Sequence, residues 1–162
     1  MSNHNFSQTD DNTMSSKDSD EYVTMTVAGQ LFGIPVLKVQ DVLGSQKLAR
    51  IPLAPPEVAG SLNLRGRIVT AIDVRIRLDL PPRPADMHGM SVVVYQGDEL
   101  YSLLIDQVGE VLSLPRADFE PNPPTLEPRW RELSTGIYRL DGKLMVVIDI
   151  DRLLNLSRSN AA

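Results

Sequence analysis

From Tyr22 onward, apolar and polar residues alternate in short runs rather than recurring every third or fourth position. Val23, Met25 and Val27 alternate with threonines, as in a strand with one buried face. Comparable runs follow, separated by Gly, Pro and charged residues, which predicts small antiparallel sheets or barrels. Residues 1–20 show no such pattern. They are rich in Ser, Asn, Asp, Thr and Gln, with Phe6 as their only aromatic. That composition cannot bury enough apolar surface to offset its ordering entropy, so a disordered tail is expected there.

The runs repeat. Val23–Val42 aligns with Val92–Val111 at an offset of 69, matching Phe32 to Tyr101, Ile34 to Leu103, Asp41 to Glu110 and Val42 to Val111. A second stretch aligns at an offset of 76, matching Gly60, Gly66, Asp73 and Leu78 to Gly136, Gly142, Asp149 and Leu154. The growing offset places an insertion in the second copy, at the run Pro121-Asn122-Pro123-Pro124. The linker between copies is Pro81-Pro82-Arg83-Pro84-Ala85-Asp86, where prolines disfavour regular structure. The expected fold is all-β: two tandem small barrels with short helical turns, the first over 21–86 and the second over 87–156, followed by a short tail at 157–162.

The turns are specified in the same way. Leu140-Asp141-Gly142-Lys143 carries Asp-Gly between apolar runs, a strong hairpin signal. In its counterpart, Leu64-Arg65-Gly66-Arg67, arginine tolerates positive φ poorly, so a type II turn with Gly66 in third place is expected. Asp73 and Asp149 are placed to cap short helical turns that Leu78 and Leu154 pack back onto the barrels. Only eight residues follow Leu154, too few for a long terminal helix.

Composition narrows the chemistry. The 162 residues contain no cysteine, which excludes disulfides, thiolate metal sites and a cysteine nucleophile. His4 and His88 lie in polar, Pro- and Gly-rich surroundings unsuited to a triad or a zinc cage. The net charge is −5, of which residues 1–21 hold −4, so the folded part is nearly neutral and lacks the basic excess of a general nucleic-acid binder. No apolar run approaches the ~20 residues of a membrane helix. No basic-then-apolar leader opens the sequence, so nothing points to secretion.

Three features bear on activity. Duplicated barrels with one aspartate each are the layout of aspartic peptidases, whose aspartate precedes a small hydroxyl residue and glycine. Here Asp73 is followed by Val74-Arg75 and Asp149 by Ile150-Asp151, which suits capping and not catalysis. Arg65, Arg67, Arg75 and Arg77 form a cluster able to contact phosphates. Asp73 and Asp79 interrupt it, and no base-stacking aromatics lie nearby. Trp130, between Arg129 and Arg131, is either an interaction hot spot or a lid folded onto the second barrel. No phosphate-binding glycine loop, H-E-x-x-H or G-x-S-x-G is present, which shifts weight towards a binding protein.

The stretch Gly60-Ser61-Leu62-Asn63-Leu64-Arg65-Gly66-Arg67-Ile68-Val69, followed by Ile72-Asp73-Val74-Arg75, resembles the signature of the CheW family of chemotaxis coupling proteins, G-V-x-N-L-R-G-x-I-x-P-V-I-D-L-R. Ile34-Pro35-Val36-Leu37-Lys38-Val39-Gln40-Asp41-Val42 resembles the family's I-x-V-x-x-V-x-E-I segment, and Gly109-Glu110-Val111-Leu112 and Leu140-Asp141-Gly142 extend the match. The resemblance covers residues 21–155. It implies two SH3-like five-stranded barrels and a non-enzymatic cytoplasmic adaptor without cofactor or metal. Such an adaptor links the tip of methyl-accepting receptors to the regulatory domain of a CheA-type histidine kinase, in arrays at the inner membrane. It further implies that Val39, Val42 and Val111 are apolar surface contacts and that Asp41 and Arg65 form an exposed pair. Asn63 belongs to the binding surface, and Gly60 and Gly136 are positions that tolerate side chains poorly. The chain departs from the signature at Asp41 (usually Glu), Ser61 (usually Val) and Thr70 (usually Pro). The shorter Asp41 leaves open whether the pair closes directly or through water. The alternative from another class is a small-barrel nucleic-acid binder using Arg65–Arg77.

Overall fold

A computed structural model describes residues 18–155. Ten strands run in chain order: β1 (Ser19–Val27), β2 (Gln30–Pro35), β3 (Val39–Leu43), β4 (Val58–Leu64), β5 (Arg67–Asp73), β6 (Met90–Gln96), β7 (Glu99–Ile105), β8 (Gln107–Pro115), β9 (Ser134–Leu140) and β10 (Lys143–Ile148). Helical turns α1 (Val74–Arg77) and α3 (Ile150–Leu153) follow β5 and β10, and α2 (Pro128–Leu133) precedes β9. β1 begins at Ser19, where Ser19 and Asp20 pair with Pro115 and Leu114, so the expected tail ends before residue 19. Its remainder up to residue 17, and residues 157–162, lie outside the described residues.

The strands form two five-stranded sheets, as expected, but not one per repeat. Sheet A has the order β8-β1-β2-β10-β9 and sheet B the order β3-β6-β7-β5-β4. Each sheet combines a hairpin from one half with three strands from the other. The division into a barrel over 21–86 and a barrel over 87–156 is therefore corrected: neither segment contains a complete sheet. The repeat itself is exact in register. Val23 opposes Ile34 as Val92 opposes Leu103, and Val23–Val111 matches Val92–Val42. Phe32–Val146 likewise matches Tyr101–Thr70 in the parallel pairs.

The short connectors explain the exchange. In a barrel made from one repeat, β3 would pair antiparallel with β1 and so run parallel to β2. The chain would have to travel back along β2, roughly 20 Å for its six residues at about 3.3 Å each. Only the three-residue turn Val36–Lys38 joins β2 to β3, and parallel strands need far longer crossovers. Only Asp106 separates β7 from β8. Each pair therefore continues onward from one sheet into the other.

Exchange also divides the core. Leu62, Val69, Ala71, Val93 and Leu100 pack on one face of sheet B, and Tyr22, Tyr138, Met145 and Val147 on one face of sheet A. A larger shared core lies between the sheets, containing Phe32, Ile34, Ile72, Leu103, Ile105, Ile137, Val146 and Ile148. The Asp73 side chain accepts from the Arg75 and Ile76 N–H groups, and Asp149 from Arg152. Leu78 and Leu154 are buried in the shared core. The additional residues of the second copy include α2. From it Trp130 folds back, donating Nε1–H to the Leu78 carbonyl at 3.0 Å and meeting Phe32 edge-on at 5.5 Å. Trp130 is thus a lid, but over Leu78 and Phe32 of the first half rather than over the second barrel as expected.

A buried ion pair pins the crossing between sheets. Arg75 donates Nε and Nη2 hydrogens to Asp106 Oδ1 and Oδ2 at 3.0 and 2.7 Å, and Nη1 to the Pro81 carbonyl at 2.8 Å. Asp106 Oδ2 also accepts from the Ala28 N–H at 2.8 Å, in the β1–β2 turn. Hydrogen bonding to Asp106 raises the Arg75 pKa despite burial. Burial alone pushes the Asp106 carboxyl up, but the Arg75 and Ala28 bonds outweigh it and hold the carboxyl below its ordinary value. Because that folded value is depressed, the contribution is complete above about pH 4 and is lost as pH falls through the folded value. Asp106→Ala should cost about 3–5 kcal/mol by stranding a buried guanidinium, whereas Arg75→Met with Asp106→Leu should cost much less. Urea unfolding at neutral pH checks both, and the double variant should show a flatter loss of stability in acid.

Candidate functional site: the Asp41–Arg65 end of sheet B

The site is built where strand edges and a tight turn of sheet B meet. Residues Leu64–Arg67 close the β4–β5 hairpin with Leu64 opposite Arg67. Both central residues have positive φ, 51° at Arg65 and 85° at Gly66. This is a type I′ geometry and corrects the expected type II turn. A two-residue loop must match the right-handed twist of its strands, and that requirement overrides the dislike of arginine for positive φ. The Asn63 side-chain oxygen accepts from the Gly66 N–H at 2.9 Å.

Arg65 reaches across to β3. Its Nη2 lies 2.9 Å from Asp41 Oδ2, with the side chains 71% and 24% exposed. The pair closes directly, so the shorter aspartate suffices. Asp41 Oδ1 also accepts from the Val42 N–H at 2.9 Å, which fixes the carboxylate against its own strand. Val39 is half-buried against the shared core and Val42 is exposed. Gly60 is buried beside a register irregularity between Val58 and Gly60. A Cβ there would approach the Ala49 carbonyl to 2.6 Å at a φ of +152°.

The eight expected residues thus divide. Val39, Asp41, Val42, Gly60, Asn63 and Arg65 all lie in sheet B or its hairpin turn. Val111 lies on β8 and Gly136 on β9, both in sheet A. They are the repeat equivalents of Val42 and Gly60, at the matching places on the other sheet. A Cβ on Gly136 would meet the Glu120 carbonyl at 2.5 Å and the Phe119 ring, the same close approach seen at Gly60. The paired carboxylate and cation are not duplicated, because Glu110 and Asp141 stand where sheet B has Asp41 and Arg65.

The arginine cluster does not survive folding as a phosphate-binding surface. Arg75 is committed to Asp106, and Arg77 is buried, donating to the Leu153 and Arg152 carbonyls at 2.7 and 2.9 Å. Burial, then the nearby Arg129, lowers the Arg77 pKa. Arg67 donates to the Asp98 carbonyl. Two features were not picked out in the sequence. Ile68, next to the Arg65 turn, is 70% exposed. Leu37 projects almost wholly into solvent beside a cleft of ≈ 470 Å³ lined by Asp20, Glu21, Tyr22, Pro35, Val36 and Ser113. Its signal was its equivalence to Asp106, a crossing residue rather than a strand residue. No group of His, Cys, Asp or Glu able to hold a metal ion occurs among the described residues.

This geometry has known relatives. The family model of the CheW-like domain matches residues 21–158. The chain belongs to the CheW family. It is 30% identical over 135 residues to the chemotaxis protein CheW of Klebsiella aerogenes, covering 83% of this chain and 81% of that protein. To CheW of Bacillus subtilis it is 24% identical, with 90% and 94% covered. Among solved structures it resembles the scaffolding protein TtCheW of Thermoanaerobacter tengcongensis, with a TM-score of 0.76 and 26% identity over 85% of this chain and 94% of that one. CheW proteins are adaptors rather than enzymes, and the expected two-barrel SH3-like class holds for this member.

The CheW glycines act through packing. Gly60→Ala and Gly136→Ala should each destabilise the protein by about 1–3 kcal/mol, because a backbone carbonyl blocks the added methyl in both places. Parallel urea titrations of the two variants check this.

Proposed function

We propose that this CheW-family adaptor couples methyl-accepting chemoreceptors to a CheA-type histidine kinase through two distinct surfaces. The observation that carries the reading is the direct Asp41–Arg65 pair beside exposed Val42. An exposed ion pair contributes only about 0.2–1 kcal/mol to folding, so its value lies in presentation. A fixed cation flanked by apolar side chains suits a flat protein partner, and we assign it the regulatory domain of the kinase. Ile68 extends the apolar rim.

The cleft walled by Tyr22, Pro35, Val36 and Leu37 lies where β2 crosses from sheet A towards β3. A groove with one apolar wall and one polar wall can take an amphipathic helix, and we assign this groove the helical tip of the receptor. Asp20 and Glu21 line it, favouring a tip with basic residues at its margin. No described helix is long and apolar enough to cross a membrane. On this reading the adaptor works on the cytoplasmic face, recruited to receptor arrays at the inner membrane by its partners. Val111 is exposed at the equivalent end of sheet A, where buried Gly136 serves packing rather than contact.

Arg65→Glu should fold, with a melting temperature lowered by only a few degrees, but bind the kinase at least about tenfold more weakly, since it puts two acids where the partner meets a cation. Leu37→Glu should do the reverse, keeping the kinase and losing the receptor. Pull-downs with kinase alone and receptor alone, each beside a melting curve, separate the two. Retention of both partners by both variants would refute the assignment.

A further inference from the structure

The β4–β5 turn is less favourable than it needs to be. At the equivalent place in the second half, Asp141-Gly142 takes the same positive-φ pair, with φ of 34° and 78°. Aspartate visits the left-handed region comparatively easily, because its short polar side chain can bond locally. Arg65 has no such help and is held at φ 51°. Residues kept in sparsely populated backbone regions persist where the surroundings over-determine them. Here the surroundings are two side chains. Asn63 takes the Gly66 N–H, and Asp41 takes the guanidinium while bonded to its own strand at Val42. The second half has no such pair of braces. Its equivalent of Asn63 is Arg139, whose side chain turns instead to Glu120 at 3.1 Å.

The brace therefore appears where arginine occupies the strained position, and the Asp-Gly turn does without it. We infer that Asn63 is a positioning residue: it does not touch the partner but locks the type I′ turn so that Arg65 is presented in one orientation. Asp41 fixes the far end of the arginine and Asn63 fixes its backbone. Locking both ends removes most of the freedom that a long side chain would otherwise lose on binding. The inference rests on the reading of Arg65 as the group that the kinase meets, and it gives Asn63 a role distinct from contact.

The chemistry separates positioning from contact. Asn63→Asp keeps the oxygen that accepts from Gly66 and removes the amide N–H groups that a partner could use. Asn63→Ala removes both. Titration of a CheA-type kinase into the full chain should show binding about tenfold weaker for Asn63→Ala and within about twofold of wild type for Asn63→Asp. Amide hydrogen exchange should show Gly66 protected in wild type and in Asn63→Asp, and faster in Asn63→Ala. A background variant, Arg65→Asp, converts the turn to the Asp-Gly type. On it, Asn63→Ala should no longer lower the melting temperature, and it should fold even if the single Asn63→Ala does not. Loss of binding in Asn63→Asp with Gly66 still protected would overturn the inference by making Asn63 a contact. Full binding by Asn63→Ala, or an equal penalty for Asn63→Ala on the Arg65→Asp background, would overturn it too. Should wild type not bind the kinase at all, the functional reading fails, while exchange at Gly66 and the melting temperatures still decide whether the brace exists.

Discussion

A chain cannot run back along a strand and start a second one parallel to it through a connector shorter than that strand, and this constraint organises the molecule. With three residues between β2 and β3, and only Asp106 between β7 and β8, each repeat must hand its chain to the other sheet. Everything that follows depends on this. Neither half owns a complete sheet, and the largest core lies between the sheets and draws on both halves.

The exchange also explains how one duplicated sequence yields two different surfaces. The backbone is repeated in register, down to the carbonyl that crowds Gly60 and its counterpart at Gly136. Side chains at equivalent positions were free to diverge. At one crossing Asp106 is buried in a bidentate pair with Arg75, whereas at the other Leu37 faces solvent. Beside the hairpin turns, sheet B carries Asp41 and Arg65, and sheet A carries Glu110 and Asp141. An adaptor needs non-equivalent contacts, and the duplicated frame supplies equivalent places in which to build them.

Much of this was legible along the chain. Alternation found the strands, and the repeat offsets matched the strand registers residue for residue. The aspartates that cap α1 and α3 were recognisable from position alone. The pairing of strands between halves was not, because alternation reports which face is buried and not which neighbour buries it. The connectors did carry the signal, in the near-absence of residues between Ile105 and Gln107. The turn type at Arg65 was misread for a related reason: local preference is outweighed by the twist that a two-residue hairpin demands. Arg75 was grouped with exposed arginines because its partner Asp106 is 31 residues away. The site residues came from family resemblance more than from pattern.

The exchange is tested most directly by cross-linking, which the absence of cysteine makes clean. Glu21 opposes Ser113 across β1 and β8, one residue from each half. If each repeat instead closed its own barrel, the partner of Glu21 would be Gly44, the repeat equivalent of Ser113. The double variants Glu21→Cys with Ser113→Cys and Glu21→Cys with Gly44→Cys are oxidised under native conditions and resolved on non-reducing gels. The exchanged fold predicts an intramolecular disulfide in the first variant and free thiols in the second. A disulfide only in the Gly44 variant would contradict the account.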